Sequence, residues 1–212
     1  MKKITIKEKE CILLEEESIH LFIQPVDAHD LEEIENERKE VSHPFSLLLY
    51  PINNWNEELS PWKNEPVFGN QGFGEGAKET LDFIQKNILP MFIDKKIYLC
   101  GYSLAGLFSL WASYQSDAFV GIVAASPSVW FPGWLEYTRN HSLHTKKVYL
   151  SLGDKEENTK NPVMKTVGDC IRTYYEETKE KIPCILEWNQ GNHFKDTGKR
   201  VGKGIEWMLK EL

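Results

Sequence analysis

Ser103 lies within residues 96–114, KIYLCGYSLAGLFSLWASY, where an apolar, strand-like run (97–100) meets a run with helical spacing, Leu104, Leu107, Phe108 and Trp111. A serine hydroxyl is a weak nucleophile until a base removes its proton. Of the six histidines, His141, His144 and His193 follow it in the chain. His193 sits just past a strand-like run, in EWNQGNHFKD, with Gly191 and Asn192 as a turn-forming approach. An imidazole working as a base needs a carboxylate to hold its tautomer and stabilise its cation. The loop GDKEEN, after KKVYLSLG, offers Asp154, Glu156 and Glu157. Glu156, two residues beyond Asp154, is placed to fold back toward His193; Asp154 and Glu157 are the alternatives. His141 and His144, in the polar connector RNHSLHTKK, are expected on the surface. Their spacing could fit a metal pair, but no further ligand cluster accompanies them, and no metal is expected.

These residues must be positioned by the elements around them. KKITIKEKECILLEE and SIHLFIQPV read as two early half-buried strands, paired antiparallel, and DLEEIENERKEV as a charged helix or loop. PFSLLLYPI is a fully apolar strand. EGAKETLDFIQKNILPMF reads as a helix with Ala77, Leu81, Ile84, Ile88 and Leu89 on one face, ending near Pro90. The Ser103 turn leads into a helix running to about Tyr114. FVGIVAASPS, KKVYLSLGD and IPCILEWNQG are further strands. PVMKTVGDCIRTYYEETKE is a helix with Pro162 in its first turn, and residues 204–212 form a closing helix. Continuous apolar strands alternating with helices predict an α/β fold, a mostly parallel sheet covered on both faces. In such sheets chemistry gathers outside the carboxyl ends of the strands. Ser103, the GDKEEN carboxylates and His193 all fall there.

The chain has 212 residues, seven of them Trp, and a net charge of -7. That length suits one domain, residues 1–212. The mixed charge, without a clustered basic surface, argues against nucleic acid as a partner and mildly against a strongly anionic ligand. Arg139, Arg172 and Arg200 are scattered and Arg38 lies far upstream. Cys11, Cys100, Cys170 and Cys184 include no CxxC pair, as expected of reduced thiols in a cytoplasmic protein. The N-terminus lacks the apolar core of a signal peptide. No apolar run approaches the ~20 residues that span a bilayer, so no membrane partner is expected.

Gly101 and Ala105 flank Ser103 at the second position on either side, and Gly106 follows. A capping serine needs no such small neighbours; a sharp strand-to-helix turn that exposes a nucleophile does. With G-x-S-x-A-G in place of G-x-S-x-G, the chain resembles the esterase D-like branch of the α/β-hydrolase superfamily, which includes the enterochelin esterase-like proteins. The likeness runs through GYSLAGLFSLWAS, AASPSVWFPGWLEY, YLSLGDKEENTKNPVM and GNHFKD, and NNWNEELSPW is similar to the loop after that group's third strand. The resemblance implies a sheet of about eight strands, no obligatory cofactor, Ser103 as nucleophile, His193 as base and, through the pattern G-x-x-D/E, Glu156 as acid. It implies an oxyanion held by the backbone N–H of Leu104 and by a second donor after FSLLLYPI. Pro51 has no N–H, so that donor is expected at Ile52, with Asn53 next. Trp55, Trp62, Trp130 and Trp134 are expected near the active edge, with Trp55 and Trp130 against the substrate. The implied activity is serine carboxylic-ester hydrolysis of a small ester through an acyl-enzyme. Thioesterase or acyltransferase chemistry, or a non-catalytic binding protein of the same fold, are the alternatives.

Overall fold

Eight strands form one sheet in the computed structural model, which describes residues 1–210. They are β1 (Lys2–Ile6), β2 (Lys9–Leu14), β3 (His20–Val26), β4 (Ser46–Pro51), β5 (Lys96–Tyr102), β6 (Gly121–Ala125), β7 (Val148–Gly153) and β8 (Cys184–Asn189), in the spatial order β1-β2-β4-β3-β5-β6-β7-β8. From β4 to β8 every pairing is parallel; β1 and β2 are antiparallel additions at one edge.

The N-terminal region differs from the expected pair of strands. KKITIKEKECILLEE is itself a hairpin, β1–β2, turning at Lys7 with φ +54°. β2 pairs with β4, and β3 lies parallel between β4 and β5. Burial explains the placement: β3 is buried from Leu21 to Val26, which only a central strand covered on both faces allows.

One face of the sheet is covered by α1 (Ala28–Lys39) and α7 (Thr197–Leu209), through Ile34, Val201, Ile205 and Met208. A short turn, α2 (Trp55–Glu58), follows β4. The other face carries α3 (Ala77–Phe83), α4 (Ser103–Gln115), buried from Leu104 to Tyr114, α5 (Trp134–Asn140) and α6 (Val167–Lys179). The helix ending near Pro90 is α-helical only to Phe83. A wide π turn (Ile84–Ile88) and a tight turn (Leu89–Phe92) follow, because Pro90 lacks an N–H and its ring clashes with the carbonyl four residues back. Pro162 precedes a tight turn and then α6, rather than lying in that helix's first turn. The closing helix starts at Thr197, before Gly204; Glu211 and Leu212 lie outside the described residues. No described helix is long and apolar enough to cross a membrane.

The charged segment forms α1 because Asp27 caps it: its carboxylate accepts from the His29 and Asp30 amides while Asp30 accepts from the Asp27 amide. Near its end Glu37 is 1% exposed, accepts from Gln24 Nε2 at 3.1 Å, and leaves Oε1 without a partner. Burial pushes the carboxyl from its ordinary 4.5 up to about 8. Between these values the folded chain holds a proton that the unfolded chain lacks. Stability therefore falls as pH rises through that window, by up to ~1.4 kcal/mol per pH unit. Glu37→Gln removes this dependence. Its melting temperature, relative to wild type, should climb between about pH 5 and about pH 8; a constant difference across that range would contradict the assignment.

Candidate active site

β5 and β3 are neighbours, and the chain leaves them toward opposite sides of the sheet, so the crevice past their carboxyl ends is a topological switch point. Ser103 stands there, between the last residue of β5 and the first turn of α4. Its φ is +56°, in the left-handed region that non-glycine residues avoid. The tight reversal leaves no room nearby: a Cβ on Gly101 would lie 2.6 Å from the Ala105 carbonyl carbon. This is the reason for small residues on both sides of the serine. Ser126, at the end of β6, is also strained, with φ +44°.

Three side chains distant in sequence meet at this rim. Ser103 Oγ is 3.0 Å from His193 Nε2, and His193 Nδ1 is 2.7 Å from Glu156 Oε2. Such a chain can move a proton from the hydroxyl to the imidazole while the carboxylate steadies the charge. Glu156 reaches His193 because the loop after β7 folds back over Gly153, where a Cβ would lie 2.9 Å from Glu156 Oε1 and 2.4 Å from the Gly191 carbonyl oxygen. The other two carboxylates are engaged elsewhere: Asp154 Oδ1 accepts from the Gly191 amide at 2.8 Å, and Glu157 pairs with Arg172 at 3.2 Å. Asp154 thus shapes the histidine loop without touching the ring. His141 and His144 are exposed and remote from this cluster.

The Glu156 side chain is 4% exposed yet ionised. Burial pushes its carboxyl up, but hydrogen bonding and charge from His193, together with bonds from the Ser126 hydroxyl and the Gly153 amide, hold it below the ordinary value. Arg200, one of the arginines scattered in the sequence, is 1% exposed and donates to Glu156 Oε1 at 2.7 Å. Nothing in the spacing of Arg200 marks it; only the packing of α7 beneath the histidine loop brings it here.

The two expected oxyanion donors fare differently. Leu104 is in the first turn of α4, where no carbonyl four residues back within the helix can accept from its amide. The Ile52 amide instead donates to the Val26 carbonyl at 3.0 Å, continuing the parallel ladder of β3 and β4 by one step. Asn53, next in line, donates to Glu58 Oε1 at 2.9 Å, as does Asn54 at 2.8 Å. In this conformation neither Ile52 nor Asn53 has a free N–H.

A cavity of about 340 Å³ opens beside Ser103, walled by Trp55, Asn56, Phe68, Phe73, Trp130, Met164 and Phe194, with Leu104, Ser128 and His193 at the Ser103 end. Trp55 and Trp130 both line it. Trp62 and Trp134 do not line it: Trp62 packs on Phe131 and Tyr137, and Trp134 is buried against Tyr114 and Tyr174. Phe68 and Phe73 come from the glycine-rich stretch VFGNQGFG. Their spacing and aromatic type are the signal in the sequence for a wall, although the stretch carries no helix or strand periodicity. Among the described residues, no group of three His, Cys, Asp or Glu side chains could hold a metal ion.

No protein-family profile and no curated protein matches the chain. Solved structures do. An IroE-like serine hydrolase from Shewanella oneidensis is similar with a TM-score of 0.76 and 16% identity, over 95% of this chain and 75% of that one. A Bacillus cereus carboxylesterase is similar with a TM-score of 0.63 and 16% identity, over 95% of this chain and 93% of its own. The enterobactin esterase of Shigella flexneri gives 0.65 and 16% over 94% of this chain, which spans only 55% of that enzyme. The chain has the α/β-hydrolase fold. At such identities the likeness is one of architecture. In an α/β-hydrolase the turn after a central strand is where the fold can display a nucleophile, and here Ser103 occupies it.

Proposed function

We propose that the protein is a serine carboxylic-ester hydrolase acting on small, uncharged esters. One observation carries the reading: the unbroken Ser103–His193–Glu156 hydrogen-bonded chain at the mouth of an apolar cavity. Ser103 Oγ attacks the ester carbonyl carbon as its proton passes to His193 Nε2, and Glu156 balances the imidazolium. The Leu104 N–H, at the start of α4, stabilises the oxyanion. The alcohol leaves with the proton from Nε2. Water then attacks the acyl-enzyme, giving its proton to the same nitrogen, and Ser103 departs to release the acid. The serine hydrolases and esterases among the similar structures support this reading.

Apart from the Asn56 amide the cavity wall is aromatic and thioether, and it carries no charged side chain, so it favours a neutral apolar group and penalises a carboxylate. Arg200, although close, is spent on Glu156 and does not line it. The test is covalent labelling by a fluorophosphonate, mapped to Ser103, followed by two substrate series. One lengthens the acyl chain of p-nitrophenyl esters from acetyl to octanoyl; the other lengthens the alkyl group of acetates. The series whose variable arm enters the cavity should gain about fourfold in kcat/KM per methylene until the space is full, and a terminal carboxylate on that arm should abolish the gain. Absence of labelling at Ser103 would refute the hydrolase reading, and two flat series would refute the substrate class.

A further inference from the structure

Arg200 makes more contacts with the site than a structural ion pair requires. Nη1 donates toward Glu156 Oε1 at 2.7 Å, Ser126 Oγ at 2.9 Å and Tyr102 Oη at 3.0 Å, and Nη2 donates to the Asn192 carbonyl at 2.9 Å. Tyr102 Oη in turn donates to the His193 carbonyl at 2.7 Å, and its ring lies against the imidazole, centroids 5.2 Å apart. One guanidinium thus grips the acid directly and the backbone on which the base is mounted at two adjacent residues. Arg200 is 1% exposed, and among the described residues its Nε has no partner.

We infer that Arg200 is a positioning residue that sets both the aim of His193 and the net charge of the His193–Glu156 pair. The inference rests on the hydrolase reading above. Two roles are separable. The geometric role needs the planar fork, which holds Glu156 and the Asn192–His193 backbone in register. The electrostatic role needs only the positive charge. With Arg200 present, the guanidinium balances the buried Glu156 carboxylate. Without it, a carboxylate is left buried without its cation, and the pair binds a proton more tightly. A protonated pair cannot accept the Ser103 proton.

Other charged groups near the pair are fixed across the comparison. Asp27, His29 and Asp30 lie across a small cleft that His193 also lines, and Asp154 and Lys195 flank Gly191. Variants at position 200 leave all of them in place, so any displacement of the pH profile reports on the guanidinium.

Three variants separate the roles: Arg200→Met, Arg200→Gln and Arg200→Lys. In Arg200→Met the acidic limb of the kcat/KM profile should move to higher pH by about 1 to 2 units, with kcat falling at least about 100-fold and KM nearly unchanged. If Met does not give a folded protein, Arg200→Gln keeps hydrogen-bond donors without the charge and should move the limb the same way. Arg200→Lys keeps the charge but not the fork; its limb should stay at the wild-type position while kcat falls. The His193 ring, followed by NMR in a Ser103→Ala background, should show the same displacement without any turnover. A folded Met or Gln variant whose limb and ring titration coincide with wild type would overturn the proposal. Absence of turnover in wild type with a displaced ring titration would instead sink the hydrolase reading and leave the coupling intact.

Discussion

Ser103→Ala should leave a folded protein whose ester turnover has fallen by about 10⁶-fold. The expectation follows from what the hydroxyl does and does not touch. Its one close partner is His193 Nε2 at 3.0 Å, and the next, Ser128 Oγ, is 3.4 Å away. Alanine can adopt the same strained φ of +56° at a cost similar to that of serine, since both carry one Cβ. The melting temperature should therefore change little. The cavity walls, the Leu104 amide and the His193–Glu156 pair all remain, so binding of a neutral substrate analogue should persist. Fluorophosphonate labelling should vanish in the same preparation. Turnover within tenfold of wild type in scrupulously purified Ser103→Ala would remove the nucleophile from the proposal.

The fold was largely readable because its central strands are continuous apolar runs and its elbow is bounded by small residues. LLLY in β4 and YLC in β5 say "covered on both faces" without help from tertiary structure. The elbow is readable because Gly101 and Ala105 meet a steric demand that is local in sequence. Likewise Glu156 is placed by a three-residue fold-back from Gly153, again a local device.

What was not readable depends on partners far away. The N-terminal hairpin reads as one strand because its turn at Lys7 carries no glycine, asparagine or proline. The Ile52 amide looked free because the β4 residue before it is a proline; whether an amide at a strand end is free depends on how far the neighbouring strand, β3, extends. α7 was expected seven residues late since Gly198, Gly202 and Gly204 weaken a helical reading, while in the structure Gly198 and Gly202 let the helix approach α1 closely. Arg200 shares that helix. Misjudging where α7 begins hides the residue that grips Glu156.

Glu156→Gln should cost about 10⁴-fold in kcat and destabilise the fold at neutral pH. The amide has one acceptor and one donor end, whereas all the partners of the carboxylate donate: His193 Nδ1, the Ser126 hydroxyl, the Gly153 amide and Arg200. If the glutamine oxygen faces His193, its NH₂ meets Arg200 and the Gly153 N–H. If it is flipped, the imidazole is driven into the tautomer that cannot take the Ser103 proton. Either way Arg200 is left buried without a counter-charge, a loss of about 3–5 kcal/mol. The pH dependence supplies a second check. Because the folded-state carboxyl titrates below its ordinary 4.5, its contribution to stability is present above that value and is lost as pH falls through the lower, folded one. The stability difference between wild type and Glu156→Gln should therefore be largest near neutrality and shrink below about pH 4.5. Glu157→Gln, which touches only the exposed Arg172 pair, should change kcat less than about twofold. Equal kinetic losses from the two variants would mean that the carboxylate bonded to His193 in the structure is not the one that serves it in turnover.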